Sequence, residues 1–255
     1  MLLACDLGNT FAKFGIYDED ILVAGIKSSY DNFTPALFSK YTINCAAVSS
    51  VVPAHTMKLS VALSYKYGIT PFIIHSKSHF NLRINYLTPN ALGTDRICSA
   101  EGAFALYKKS KDFKKYNDKT CIVTIDMGTA TTINIIGFEA EFSGGIILPG
   151  LSTMAKALNT NTAGLPEINP GSDYTGFIGH DTKSSIASGI INSTAGLIEN
   201  TIRHLKNELK ARQIKIYITG GNAPLMLKYL ETEHTYVEDL VLRGVKTIYE
   251  RNMVG

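Results

Sequence analysis

A chain of 255 residues, 45% hydrophobic and 18% charged, can bury a core of globular size, which excludes the disordered and fibrous classes. Its 25 basic and 22 acidic residues leave a formal charge of only +3, too mild for a nucleic-acid partner, and the lysines form no arginine-rich stripe. No apolar run reaches membrane-spanning length and an acid stands at position 6, so no membrane contact and a cytoplasmic setting are expected. Cys5, Cys45, Cys98 and Cys121 lack CxxC spacing and read as buried reduced thiols. The six histidines show no HxH or HExxH pattern, which argues against zinc.

The chain opens on an apolar run that ends at Asp6, passes through Leu7-Gly8-Asn9-Thr10, and returns by Phe11-Ala12-Lys13 into Phe14–Tyr17. This is the pattern of a hairpin with small residues at its bend. Ile21–Lys27 reads as a third strand, and Thr34-Pro35 as the start of a helix. Ile43–Ser49 is a buried strand, Pro53 opens a helix to about Tyr67, and Pro71–His75 and Leu82–Tyr86 are further strands. After a loop, Ile97, Ala100, Phe104 and Tyr107 fall at helical spacing and define a helix from about Asp95 to Tyr107. The polar stretch Lys108–Lys119 marks a boundary between domains at 1–112 and 113–255; its lysines read as a solvated helix end.

The second half begins as the first did. Cys121–Ile125 leads to Asp126, then Met127-Gly128-Thr129-Ala130, and apolar character resumes after Thr131. At an offset of 120, Asp126 falls on Asp6, Gly128 on Gly8 and Thr129 on Asn9. A repeat on this scale implies a duplicated domain, with a ligand held by two phosphate hairpins. Glycine admits a ligand close to the backbone, hydroxyls and turn amides can surround a phosphate, and a strand-end aspartate can hold a cation. Strand Glu141–Leu148, a Pro149-Gly150 turn and a helix Ser152–Leu158 follow. Asn159–Asp181, with two prolines and four glycines, reads as a long functional loop. Then come a long helix from Thr182 to about Lys210, strand Ile214–Ile218, the turn Thr219-Gly220-Gly221-Asn222 and a last helix, Glu238–Asn252.

With Asp6-Leu7-Gly8-Asn9-Thr10, Val51-Val52-Pro53, Gly93-Thr94-Asp95-Arg96, Asp126–Thr132, Gly144–Gly150, Ala163-Gly164-Leu165-Pro166 and Thr219-Gly220-Gly221 in this order, the chain resembles the type III pantothenate kinases. These belong to the superfamily of sugar kinases, actin and heat-shock ATPases. The resemblance implies an α/β fold of two duplicated actin-like (ribonuclease H-like) domains, each a mixed β-sheet flanked by helices, with the active site in the cleft between them. It implies ATP-dependent phosphorylation of pantothenate, the first step of coenzyme A biosynthesis, without a GxxxxGK[ST] loop. Asp6, Leu7, Gly8, Asn9, Thr10, Phe11, Ala12, Lys13 and Thr129 would bind ATP, with Asp6 acting on its Mg²⁺. Asp126 would hold a monovalent cation, K⁺ or NH₄⁺. Asp95 would be catalytic, and Tyr86, Gly93, Thr94, Asp95, Arg96 and Thr182 would contact pantothenate, with Thr94 standing where alanine is usual.

Each position also has an ordinary reading. Asp95 could cap its helix, Tyr86 could be a strand aromatic, Thr182 a helix start, and the glycine-rich turn only a connection. Two other functions are open: another small-molecule kinase of this superfamily, and a catalytically silent regulatory homologue. Ile186, Ile190, Ile191, Ala195, Leu197 and Ile198 spread around the long helix, which suggests a second subunit against it; a homodimer is also what the resemblance implies.

Overall fold

The computed structural model describes residues 1–113, 119–208 and 211–253. In chain order the strands and helices are β1 (Leu2–Leu7), β2 (Ala12–Asp18), β3 (Ile21–Ser28), β4 (Cys45–Ser50), α1 (Pro53–Tyr67), β5 (Phe72–Ile73), β6 (Arg83–Ile84) and α2 (Thr94–Lys109). They continue with β7 (Thr120–Met127), β8 (Ala130–Gly137), β9 (Glu141–Pro149), α3 (Leu151–Asn161), α4 (Thr182–Glu208), β10 (Gln213–Thr219), α5 (Ala223–Met226), β11 (Thr235–Tyr236) and α6 (Leu240–Met253). The chain falls into two compact units. One comprises Met1–Lys115, Glu139–Gly144 and Asp239–Gly255, the other Tyr116–Phe138 and Gly145–Glu238. Part of the expected boundary stretch, 114–118, and the expected helix end at Lys210 lie outside the described residues.

In the first unit the sheet order is β3-β2-β1-β4-β5. β1 and β3 run antiparallel to β2, and β4 lies parallel to β1. β1 is buried on both faces, so it reads as a continuous apolar run, whereas the edge strand β3 alternates exposed and half-buried residues. One core gathers Leu3, Cys5, Phe14, Ile16, Phe38 and Val48 with Leu59 and Leu63 of α1. Pro53 fits the first turn of α1, and Gly68, at φ +67°, ends it. α2 and α6 pack on each other and on β4. Their approach is close: a Cβ at Gly244 would lie 1.7 Å from the carbonyl oxygen of Cys98, and one at Gly102 2.3 Å from that of Leu240.

The second unit repeats the plan, with β11-β10-β7-β8-β9 in the order of β5-β4-β1-β2-β3. β8 is antiparallel to β7, and β10 is parallel to it. Val123, Ile125, Met127 and Ile133 meet Ile190, Ile191, Ile198 and Ile202 of α4 in its core. β9 begins among residues of the first unit, where Arg83 and Ile84 of β6 pair with Glu141 and Phe142.

Several expectations change. Thr34 does cap its neighbour, accepting from the Ala36 amide at 3.3 Å, but Pro35–Phe38 make only a short 3-10 turn. β5 and β6 are two residues each. The loop after α3 is organised by its own side chains and by two from α4. Asn169 Oδ1 accepts from Gly171 and Ser172, Asp173 accepts from the Asn169 amide, and Ser188 and Asn192 of α4 both hold the Phe177 carbonyl. Of the six apolar α4 residues taken to suggest a partner, Ile190, Ile191, Ala195 and Ile198 are covered within their own unit.

Candidate active site

Asp6 ends β1 as a buried carboxylate, opposite Lys13 on β2 and beside Ser49 on β4. The bend beyond it closes through the Gly8 amide on the Phe11 carbonyl at 3.2 Å, leaving Asn9, Thr10 and Phe11 exposed. Tyr30 reaches across to donate its hydroxyl to the Gly8 carbonyl, and its ring stacks flat on His55, centroids 3.6 Å apart. Burial, then the Asp6 charge, pushes the Tyr30 phenol above its ordinary range. The Lys27 ammonium, on the residue paired with Lys13, sits 4.0 Å from the Phe11 ring centroid.

The same sheet end positions α2. Ser49 donates to the Thr94 hydroxyl at 3.0 Å, and Thr94 donates to the Ser50 carbonyl at 3.3 Å. The threonine that replaces alanine therefore fastens the helix start to β4, a role visible only once the two are seen together. Gly93, not Asp95, is the N-cap, and no side chain caps this end. Asp95 lies in the first turn, where its Oδ1 accepts from the Arg96 amide at 2.9 Å. A Cβ at position 93 would lie 2.5 Å from that oxygen, so glycine leaves the carboxylate its place. Asp6 and Asp95 also share a neighbourhood: burial first, and then both charges with that of Glu101, hold the Cys98 thiol well above its ordinary range against a Ser49 hydrogen bond.

Arg96 is 6% exposed, its guanidinium carbon 5.7 Å from the ring centroids of both Tyr86 and Phe142. The two rings meet edge to face at 6.2 Å. A planar cation so held presents a fork suited to a carboxylate. The structure thus brings Tyr86, Gly93, Thr94, Asp95 and Arg96 together in the unit that carries the Asp6–Lys13 hairpin.

Asp126, Thr129 and Thr182 lie in the second unit. Asp126 pairs in register with Thr132 and Thr219. Gly220, at φ +99°, lies against it: a Cβ there would be 2.5 Å from both Asp126 Oδ1 and the Met127 amide nitrogen. Asn222 donates its amide to the Met127 carbonyl at 2.9 Å and its side chain to the Gly128 carbonyl at 3.1 Å. Thr129 is exposed, and its carbonyl accepts from the Gly150 amide at 2.9 Å and the Thr153 hydroxyl at 2.7 Å. The oxygen-only donors here suit a hard cation. The Gly128 carbonyl keeps a second lone pair for one, whereas that of Thr129 already takes two bonds. Thr182 is exposed on the first turn of α4. The carboxylate of Asp181 holds that turn by accepting from the Ser184 amide at 2.9 Å, which lowers its pKa. Asp181 was missed, although an Asp three residues before Ser is a legible capping signal.

Among the described residues no cluster of His, Cys, Asp and Glu could hold a metal alone, and no helix is long and apolar enough to cross a membrane. Two copies of one mixed-sheet plan, each with an acid-ended hairpin, define an actin-like α/β fold of the kind used by sugar kinases. A conserved Campylobacter jejuni protein assigned to the Baf family of transcriptional activators shares the fold, at 22% identity, TM-score 0.61 and 98% coverage of both chains. A glucokinase from an Antarctic psychrotroph matches at 11% identity and TM-score 0.50, again over 98% of each chain. The family model of type III pantothenate kinase matches residues 2–204. The type III pantothenate kinase of Desulfosudis oleivorans is 31% identical over 97% of this chain and 98% of its own. The chain belongs to the type III pantothenate kinase family.

Proposed function

We propose that this protein transfers the γ-phosphoryl group of ATP to the primary hydroxyl of pantothenate, giving 4′-phosphopantothenate at the first step of coenzyme A biosynthesis. Family membership supports the reaction. The observation that carries the residue roles is the α2 start, where Asp95 adjoins a buried arginine held by Tyr86 and Phe142. Asp95 orients the hydroxyl and takes up its proton, a new oxygen–phosphorus bond forms, and the bond to the β-phosphate oxygen breaks, releasing ADP. Arg96 pairs with the pantothenate carboxylate, and Tyr86, Gly93, Thr94 and Thr182 complete its contacts. The Asp6–Lys13 hairpin and Thr129 bind the ATP phosphates. Mg²⁺ on ATP, reached by Asp6, and K⁺ or NH₄⁺ at Asp126 and the Gly128 carbonyl would supply positive charge against the phosphates.

A cytoplasmic homodimer belongs to the same reading. Support for the dimer comes from Phe177 and Ile178, 76% and 70% exposed in the loop fastened to α4. Sedimentation of an active preparation at micromolar concentration checks it. The decisive test of mechanism is Asp95→Asn, which keeps the side chain's size but loses the proton acceptor. Turnover should fall on the order of 10²–10⁴-fold with nucleotide binding little changed. Near-full activity with pantothenate saturating would remove Asp95 from this role. Wild-type turnover with pantothenate, against sugars and other hydroxyl acceptors, separates this reading from another kinase and from a silent homologue.

A further inference from the structure

α2 carries a second carboxylate that the reaction does not use. Glu101 is fully buried, one and a half helical turns beyond Asp95 and Arg96. A carboxylate rarely sits there without partners, because removal from water penalises the charge. Its partners all lie in one short segment. Oε1 accepts from the Asn81 amide at 2.7 Å and the Leu82 amide at 2.8 Å, and Oε2 accepts from the Asn81 side chain at 2.9 Å. Burial pushes the carboxyl up, while these donors favour the ionised form.

The gripped segment leads directly into β6 and on to Tyr86. Its other attachments are slight for a segment that must place an aromatic ring. β6 pairs with β9 over two residues, and the Asn85 amide donates to the Phe142 carbonyl at 3.0 Å. Its remaining ties, Arg83 and Asn85 to Glu141, are made on the exposed side. Tyr86 and Phe142 are the rings on either side of Arg96. One helix therefore presents the arginine and, through Glu101, holds the strand that presents a ring against it.

We propose that Glu101 is a positioning residue for pantothenate, a clamp that fixes residues 81–86 so that Tyr86 stands against Arg96. The proposal rests on the pantothenate reading above. It requires two hydrogen-bond acceptor sites more than it requires charge. In Glu101→Gln the amide oxygen still accepts from both backbone amides, and a flipped Asn81 side chain can accept from the new amide nitrogen. Glu101→Leu fills the space and removes the acceptors. Asn81→Asp keeps the core intact but sets a second carboxylate against the first.

The measurements are KM for pantothenate, KM for ATP and kcat, with the melting temperature and amide hydrogen exchange of residues 81–86. Glu101→Leu and Asn81→Asp should raise KM for pantothenate about tenfold, the size of one or two lost hydrogen bonds. KM for ATP should stay within twofold of wild type, roughly the scatter of such comparisons. Glu101→Gln should restore most of the affinity. Exchange at 81–86 should quicken in the two loosened variants. A folded Asn81→Asp protein with unchanged KM for pantothenate and unchanged exchange would overturn the clamp, even if Glu101→Leu fails to fold. Equal rises in KM for both substrates would also overturn it, because that pattern marks general loosening. Should wild type fail to phosphorylate pantothenate, the substrate reading falls, while exchange at 81–86 still decides whether Glu101 holds the strand.

Discussion

The two acid-ended hairpins share a sequence pattern and a sheet position, yet their bends are fastened differently. The first is met by the Tyr30 phenol and the Lys27 ammonium, and keeps Asn9, Thr10 and Phe11 exposed. The second is pressed between two neighbouring turns, with Gly220 and Asn222 on one side and Gly150 and Thr153 on the other. A bend whose tip residues stand exposed can adjust to a phosphate chain. One pressed between two turns has less room to do so, which suits a fixed seat for a cation. The two copies keep one strand order while the surroundings of their bends differ.

The largest expected effect comes from breaking the tighter bend. Gly220→Ala would combine a left-handed backbone with a Cβ 2.5 Å from Asp126 Oδ1 and from the Met127 amide. It should cost about 3 kcal/mol of stability, read from chemical denaturation of the whole chain. Its counterpart is mild: at Gly8 the nearest atom to an added Cβ is the Phe11 carbonyl oxygen at 3.5 Å, an ordinary contact. Gly8→Ala should therefore fold with a loss below about 0.5 kcal/mol, and a loss as large as that at 220 would erase the contrast.

Next is Asn222→Ala. It frees the Gly128 carbonyl and should cost about 1.5 kcal/mol; if the proposed cation site is there, the preference for K⁺ over Na⁺ in turnover assays should weaken with it. Smaller still is Tyr30→Phe, which removes the phenol's bond to the Gly8 carbonyl in the first bend. KM for ATP should rise about fivefold with KM for pantothenate unchanged. No change in KM for ATP would show that this bend needs no fastening.

The smallest effect concerns the far end of the first hairpin's partner strand, where the β2–β3 turn is pinned by charge. Hydrogen bonds first from Lys109 and then from Lys246 hold the Asp20 carboxyl at about 2, against an ordinary 3.8. A depressed carboxyl stabilises the fold above its unfolded value, so this contribution is complete above about pH 4 and is lost as pH falls toward 2. Asp20 is exposed, so its share is well under about 1 kcal/mol. Asp20→Asn should flatten the acid limb in that window and leave neutral stability almost unchanged. An identical acid limb in the variant would show that these ion pairs add nothing.

The repeat at Asp6 and Asp126 was legible because acids and glycines that end apolar runs leave a local trace. The strands β1 to β3 were also legible along the chain, β1 as an apolar run because it is buried on both faces; their order in the sheet was not read. What was not legible depends on distant side chains. Nothing near Thr94 announces Ser49, and nothing near Glu101 announces Asn81. Of the apolar residues read on α4 as a subunit face, Ile190, Ile191, Ala195 and Ile198 belong to the stripe buried in its own unit, so they say nothing of a partner. Asp95 was weighed as a cap from its place at the helix start; the cap is Gly93, and the carboxylate sits two positions further in.

The placement of α6 with the first unit has a consequence for how the molecule is made. Its residues pack with α2 and on β1 and β4, the Asp239 carboxylate just before it accepts from Tyr17 at 3.1 Å, and Gly244 meets Cys98 backbone to backbone. As the chain leaves the ribosome, β1 to α2 emerge early, yet the helix that covers them is synthesised only after every residue of the second unit. The second unit, with its own strands and α4 complete by Glu238, can close first. The half that emerges first is thus the half that finishes last, and until α6 arrives the surface it covers on α2, β1 and β4 stays open.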